Sequence, residues 1–246
     1  MLNLLSLYFR AELMKALRYP AALVLNIVSM VLIVFVQYKV LSAYNSSLTS
    51  RELVVYLLVA AVLFSASTFS KLPNFCEALK KGEVIKYLCL PFYPSRVFAV
   101  KDFCTALIQL LFYVPLFSLV LVSYGALRTL IFVISACVGL FIAVLVAHVF
   151  YCLSFVLKNF SASKALLAAI SSFFAGSLIP LALLPQFFVD LAYKTPFAMV
   201  VDAPLQVLMQ GNYRLLLVQL AWALVLYALA SILISQSIKK IEIFGG

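Results

Sequence analysis

KLPNFCEALKKGEVIKYLCLPFYPSR, residues 71–96, runs on through VFAVK to residue 101. Six of the eighteen Lys and Arg residues fall between Lys71 and Lys101, with Glu77 and Glu83 among them. Pro73, Pro91 and Pro94 divide the run. On both sides the sequence is hydrocarbon with an occasional charge. A lipid-embedded segment does not hold such a cluster, because each unpaired charge at bilayer depth costs kilocalories. The stretch therefore reads as a water-exposed loop, and its positive charge assigns it to the cytoplasmic side.

The composition agrees with that assignment. Hydrophobic residues make up 66% of the 246 and charged residues 11%, with a mean hydropathy of +1.17. A soluble domain carries about 25% charged residues. The expectation is an all-α integral membrane protein, one transmembrane domain over residues 1–246, with the lipid bilayer as its solvent. A net charge of +10 would suit nucleic acid if it were gathered on one surface. Here it is scattered between apolar runs, so topology explains it and no nucleic-acid partner is expected. The five cysteines (Cys76, Cys89, Cys104, Cys137, Cys152) lack metal-ligand spacing and read as small hydrophobes. The basic N-terminal region before an apolar run resembles a leader, but Leu41-Ser42-Ala43 is a poor cleavage site, so the first span is expected to stay.

Residues 1–20 read as an amphipathic surface helix. Leu2, Leu5, Phe9, Leu13 and Ala16 share one face and Arg10, Lys15 and Arg18 fan across the other, with Glu12 the fourth charged residue of the helix; a cytoplasmic extension of the first span is the alternative. Pro20 redirects the chain. Six spans follow: Ala21–Tyr38, Leu53–Ser70, Phe103–Tyr124 with Pro115 inside, Thr129–Leu157, Ala165 to about Leu184, and Leu215–Ser237. Residues 185–212 stay apolar yet carry Asp190, Lys194, Asp202, Pro185, Pro196 and Pro204. A segment too broken to span and too greasy for water is expected to form short helices dipping into the outer membrane edge, a re-entrant segment with few core contacts. With both termini inside, thirteen Lys and Arg fall on cytoplasmic segments and five on external ones, which sets the orientation.

Catalytic motifs are missing. One histidine excludes a two-histidine zinc site, and there is no Gly-x-Ser-x-Gly elbow. Asp102 sits at the mouth of the third span and Asp190 and Asp202 in the outer segment, so no carboxylate is expected at depth. That argues against an aspartyl protease and a proton-coupled carrier. His148 is expected to be the one ionisable group inside the bilayer, a neutral imidazole bonded to a neighbouring helix. The Walker phosphate loop is absent, so this chain is expected to bind no cofactor, and any ATP and Mg would belong to a partner.

Three stretches then point to a family. Lys81-Gly82-Glu83-Val84-Ile85-Lys86-Tyr87-Leu88-Cys89-Leu90-Pro91 resembles the Gly-Glu-x-x-x-Tyr-Leu-x-x-Pro signature of six-span permease subunits of type 2 ABC exporters, with Leu90 where Arg is usual. Leu183-Leu184-Pro185, Thr195-Pro196-Phe197-Ala198 and Pro204 closing on Gly211 are similar to that family's outer re-entrant segment. The tail from Lys239 to Gly246 is similar to its basic, Gly-Gly-terminated end. The resemblance implies a bacterial inner-membrane permease facing a second, homologous or identical permease, often as a heterodimer, above ABC ATPase subunits. It also implies that residues 71–101 form a cytoplasmic coupling loop in which Lys80, Lys81, Gly82, Glu83, Lys86, Tyr87, Leu88 and Pro91 meet the ATPase. Prolines make that loop stiff, and its charges suit selection of one partner surface. Asn26, Ser29, Ser171, Ser172, Phe173 and Phe174 are the candidate substrate path, suited to an amphipathic or apolar cargo. Pro185, Phe187 and Phe188 are the candidate outer gate. A membrane scaffold that transports nothing is the alternative.

Overall fold

The apolar runs become helices, and where they stop is decided by single residues. The computed structural model describes residues 2–44, 49–69, 71, 73–74, 77–78, 94–122, 124–157 and 160–239. Among these there is no strand. Among the described residues nine α-helices follow in order: α1 (Leu2–Arg18), α2 (Pro20–Tyr44), α3 (Ser50–Ala66), α4 (Pro94–Val122), α5 (Ala126–Leu157), α6 (Phe160–Phe174), α7 (Gln186–Tyr193), α8 (Asp202–Gln210) and α9 (Arg214–Lys239). Four contain stretches long and apolar enough to cross a membrane: Leu23–Ala43, Arg96–Pro115, Ala126–Phe150 and Arg214–Ile234.

Two expected spans are shorter than the sequence suggested. The run Leu53–Ser70 is helical only over Ser50–Ala66, 17 residues or roughly 25 Å. It begins with a capping box, in which the Thr49 hydroxyl accepts from the Glu52 N–H at 3.3 Å and the Glu52 carboxylate accepts from the Thr49 N–H at 3.0 Å. It ends because Ser67 is extended. The run from Ala165 to Leu184 stops as a helix at Phe174. Gly176 follows with φ +77°, a left-handed turn that a side chain disfavours, and Tyr56 Oη already occupies the place a Cβ would take. Beyond it lie a short 3-10 turn, Leu181–Leu183, and the two brief helices α7 and α8.

Helix α5 is the centre. Residues Ile142 to His148 are buried without a break, so over these turns the helix is covered on every side, and α5 packs against α9, α8, α4, α6 and α3. Gly139 explains the fit: a Cβ there would come within 2.9 Å of the Val200 carbonyl oxygen, so the outer segment lies directly on the helix backbone. Ser135 donates to Gln219 Oε1 at 2.7 Å, and Gln219 Nε2 donates to the Met199 carbonyl at 2.7 Å. One polar clasp thus ties α5, α9 and the outer segment where hydrocarbon surrounds it.

The segment after α6 departs from the few core contacts expected of it. Ala198 to Leu205, Val207 and Leu208 are buried in the protein core. Only α7 keeps an open face, with Phe187 71% exposed. At the other end of the chain, α1 lies along α4. Phe9, Leu13 and Ala16 are half-buried as the periodicity predicts, and Glu12 is buried beside them, 3.5 Å from the Lys15 ammonium. Arg10, Lys15 and Arg18 are exposed on the far side, interleaved with exposed Leu7, Met14 and Leu17. Helix α2 leans on α3 alone to any extent and leaves Val24, Leu25, Val28, Leu32, Phe35 and Val36 uncovered.

Candidate functional site

A cavity of about 330 Å³ runs along α2, bounded by α3, α4 and the turn after α6. Leu23, Ile27, Met30, Ile33, Phe64 and Phe112 supply apolar wall. Asn26, Ser29, Gln37, Ser65, Gln109, Tyr113, Ser172 and Ser177 supply polar groups, and Lys71 the formal charge. Three residues expected on a substrate path, Asn26, Ser29 and Ser172, therefore share one cavity.

Local structure explains most of these positions. Ser29 and Ser172 each turn the hydroxyl back onto their own helix, donating to the Asn26 and Ala169 carbonyls at 2.9 Å. Gln37 reaches across to the turn after α6, its Nε2 donating to the Ser177 and Leu178 carbonyls at 3.2 and 3.3 Å. Its Oε1 is buried without a hydrogen-bond partner among the described residues. Lys71 enters because α3 ends early and the chain folds inward behind it. Its ammonium donates to the Ser65 carbonyl at 2.9 Å and closely to Gln109 Oε1. Burial pulls the Lys71 ammonium down to about 8. The sequence reading placed Lys71 in the water-exposed loop; the early stop of α3 makes it a cavity residue.

The other expected path residues lie beside the cavity. Ser171 is buried and bonds the Ala168 carbonyl at 3.2 Å. Phe173 and Phe174 meet edge to face at 5.3 Å, and Phe173 meets Phe188 at 5.8 Å in the same geometry. Phe188 in turn touches Phe187 at 5.5 Å, and Phe174 stacks at 6.5 Å on Phe197, itself 5.8 Å from Phe69. The structure thus joins the two expected path aromatics to the expected gate pair in one chain of rings. Pro185 caps the start of α7 next to them. Lys80, Lys81, Gly82, Glu83, Lys86, Tyr87, Leu88 and Pro91 lie outside the described residues.

Two buried carboxylates correct the inventory. Asp102 is 3% exposed, inside α4 rather than at a water-facing mouth. Its Oδ1 accepts from the Asn74 N–H at 3.0 Å and closely from Asn74 Nδ2, and its Oδ2 stands 3.2 Å from His148 Nε2. That last contact is close but not an aligned hydrogen bond. His148 is thus not the lone ionisable group at depth. Its Nδ1 meets the Val144 carbonyl of its own helix at 2.7 Å, and its neighbouring-helix partner is a carboxylate. Asp202, at the start of α8, accepts from Tyr56 Oη at 3.1 Å, from Gln206 Nε2 at 3.0 Å and closely from the Tyr193 hydroxyl. Burial pushes the Asp202 carboxyl up, outweighing these donors, and also raises the Tyr193 hydroxyl.

A second crevice of about 720 Å³ lies between α4, α5 and α9. Apart from Arg96 and Tyr227 its lining is apolar, with Phe103, Phe141 and Leu224 among the walls, so it offers little to select a ligand. Among the described residues no three His, Cys, Asp or Glu side chains converge on a metal position. Against known protein families, characterised proteins and solved structures, the chain has no match.

Proposed function

We propose that this chain is the membrane-spanning permease subunit of an ATP-driven exporter of the ABC type, with six spans, both termini in the cytoplasm and a second permease alongside. The observation that carries the reading is the cavity along α2, which mixes polar and apolar groups and gathers three of the expected path residues. The order of the three resembling stretches and the bias of positive charge support it. In this reading α3 and α6 cross the bilayer with help from the segments that continue them. The uncovered face of α2 meets the second permease, and the broken segment after α6 closes the path from outside. ATP and Mg are held by the partner ATPase, and residues 80–91 dock on it.

Purification of the tagged chain from its own membranes tests this. An ATPase is expected to accompany it. Glu83→Lys sets a like charge against the docking surface, and Tyr87→Ala removes an aromatic anchor. Both variants are expected to reach the membrane and to lose either the ATPase or its stimulated hydrolysis. A wild-type chain that purifies with no ATPase overturns the reading.

One observation favours a different class. The buried Asp102–His148 pair is the kind of group an ion-coupled carrier uses. Transport that stops when the proton gradient is collapsed, and persists when ATP alone is depleted, would select the carrier.

A further inference from the structure

We propose that Asp102 and His148 together form a buried binding site for a single exchangeable proton, and that release of this proton loosens the seat of α4 on α5. The site needs neither ATP nor a substrate, so it goes beyond the exporter reading and does not rest on it.

The tautomer comes first. His148 Nδ1 lies 2.7 Å from the Val144 carbonyl oxygen, an atom that only accepts. Nδ1 therefore carries a hydrogen and donates it. In a neutral imidazole this leaves a bare lone pair at Nε2, which stands 3.2 Å from Asp102 Oδ2. An ionised carboxylate also offers lone pairs alone. Neither atom receives a hydrogen bond from any other described group, and both residues are buried. Two acceptors held face to face in an apolar core repel each other, and burial magnifies the cost. One proton removes the conflict, in the form of imidazolium beside carboxylate or of imidazole beside carboxylic acid. It belongs to the pair and not to either residue. Gln37 Oε1 and Thr68 Oγ1 are also buried without a bond, but an amide and a hydroxyl do not take up a proton.

The surroundings leave the pair to itself. Among the described residues Asp102 is the one charged group within ion-pair distance of His148. Arg96 of α4 and Tyr227 of α9 line a void beside the imidazole, and Lys101 precedes Asp102 on α4. Glu12 of α1 is buried but paired with Lys15. On α8 Asp202 is bonded to Tyr56 of α3, and α6 brings only Lys164. The void measures about 10 Å³, room for about one water. Ser231 and Ile234 also line it, so it lies toward the start of α4 and the end of α9, a way in for a proton from that end of the bundle. Release leaves the carboxylate facing the lone pair, so the helices part here or the carboxylate turns away. Asp102 Oδ1 holds the Asn74 N–H at 3.0 Å, and either movement reaches the start of the basic stretch.

The single histidine makes the test direct, because 15N-histidine labels one imidazole in the full chain. Spectra are taken in nanodiscs between about pH 5 and 9. Nδ1 is expected to read as N–H throughout. At the acid end the proton should appear as a second N–H at Nε2, or as a carboxylic-acid band in the infrared that Asp102→Asn removes, and it should leave as pH rises. His148→Gln gives Asp102 a permanent N–H donor, and Asp102→Asn gives Nε2 one, so each is expected to fold and to lose the pH response. Deuterium exchange of the peptide carrying Asn74, taken relative to His148→Gln at the same pH, should rise at least about threefold as the proton leaves. A bare Nδ1, a proton never found on either residue or never released, a step that Asp102→Asn leaves in place, or an exchange ratio flat with pH overturns the proposal. The wild-type spectra decide occupancy even where a variant does not fold. Neither measurement uses an ATPase or transport, so the exporter reading and this site stand or fall separately.

Discussion

His148 Nε2 stands 3.2 Å from Asp102 Oδ2, joining α5 to α4 inside the apolar core. The other oxygen of the same carboxylate holds Asn74, three residues into the basic stretch. Through Asp102 the start of that stretch is fastened to the most buried helix. Asp102→Leu strands the Asn74 N–H and removes the carboxylate standing beside the His148 imidazole, and should cost about 3 kcal/mol or more in unfolding free energy. Asp102→Asn keeps an acceptor for Asn74 and should cost about 1 kcal/mol. Thermal unfolding in detergent distinguishes them; equal losses would show that the carboxylate holds neither partner.

Gly139 and Gly125 should respond differently to alanine. A Cβ at Gly139 meets the Val200 carbonyl, so the outer segment must move, at about 1–3 kcal/mol. Gly125 has open space around it but φ +82°, so its alanine variant pays only backbone strain of about 1–2 kcal/mol. Proteolysis of the outer segment should accelerate in Gly139→Ala and stay unchanged in Gly125→Ala.

Stability should fall as pH rises through the carboxyl of Asp202. Burial raises its affinity for a proton in the folded state. The folded chain therefore binds more protons than the unfolded one above the ordinary carboxylate pKa of about 3.9. The contribution is complete below that value and is lost as pH climbs through the raised one. Asp202→Asn should flatten this part of the profile. Melting temperatures of the two proteins from acid to neutral pH check it, since other titrating groups cancel in the difference. A constant difference across the range would mean that Asp202 binds its proton no more tightly in the folded chain than in the unfolded one.

Phe187 and Leu205 test the gate proposed for α7 against the buried core of the same segment. Phe187→Ala removes a ring that is 71% exposed and should leave the melting temperature within a degree or two while raising leakage of small solutes. Leu205 is fully buried, and its alanine variant should lose about 2–5 kcal/mol. Liposome leakage assays beside thermal melts score both. Transport at the wild-type level in Phe187→Ala would make α7 a passive lid.

The helical class and the main apolar runs were legible from hydropathy, since lipid asks for little else. Element ends were not. Pro94 reads as a loop residue within a basic run, yet it opens α4 nine residues before the expected start, and so Asp102 lies inside a helix. Proline at a first helical position was the available signal. Lys71 was read by its charge alone, because nothing local announces that α3 stops at Ala66 and turns the chain inward. Asn26, Ser29 and Ser172 were found because small polar residues in apolar runs are few. Gln37 and Gln109 were missed because a single glutamine in a span looks the same whether it faces lipid, a neighbour or a cavity. The burial of Ala198 to Leu205 depends on Gly139, far away in sequence, which no local pattern encodes.

Helix α5 has a consequence for how the chain is built into the bilayer. It is the most apolar of the four long helices and also the most enclosed, whereas α2 is the least enclosed. In water that combination would be dangerous, since the segment destined for the centre would aggregate before its cover arrived. In lipid the acyl chains solvate it as well as its neighbours later do. During synthesis α5 can therefore settle alone and wait as a post around which α9 and the outer segment gather. What holds them afterwards is close fit at Gly139 and the Gln219 clasp, not expulsion from solvent. Assembly of this protein is then limited by shape, and errors in it should show as loose packing in the membrane before they show as failure to insert.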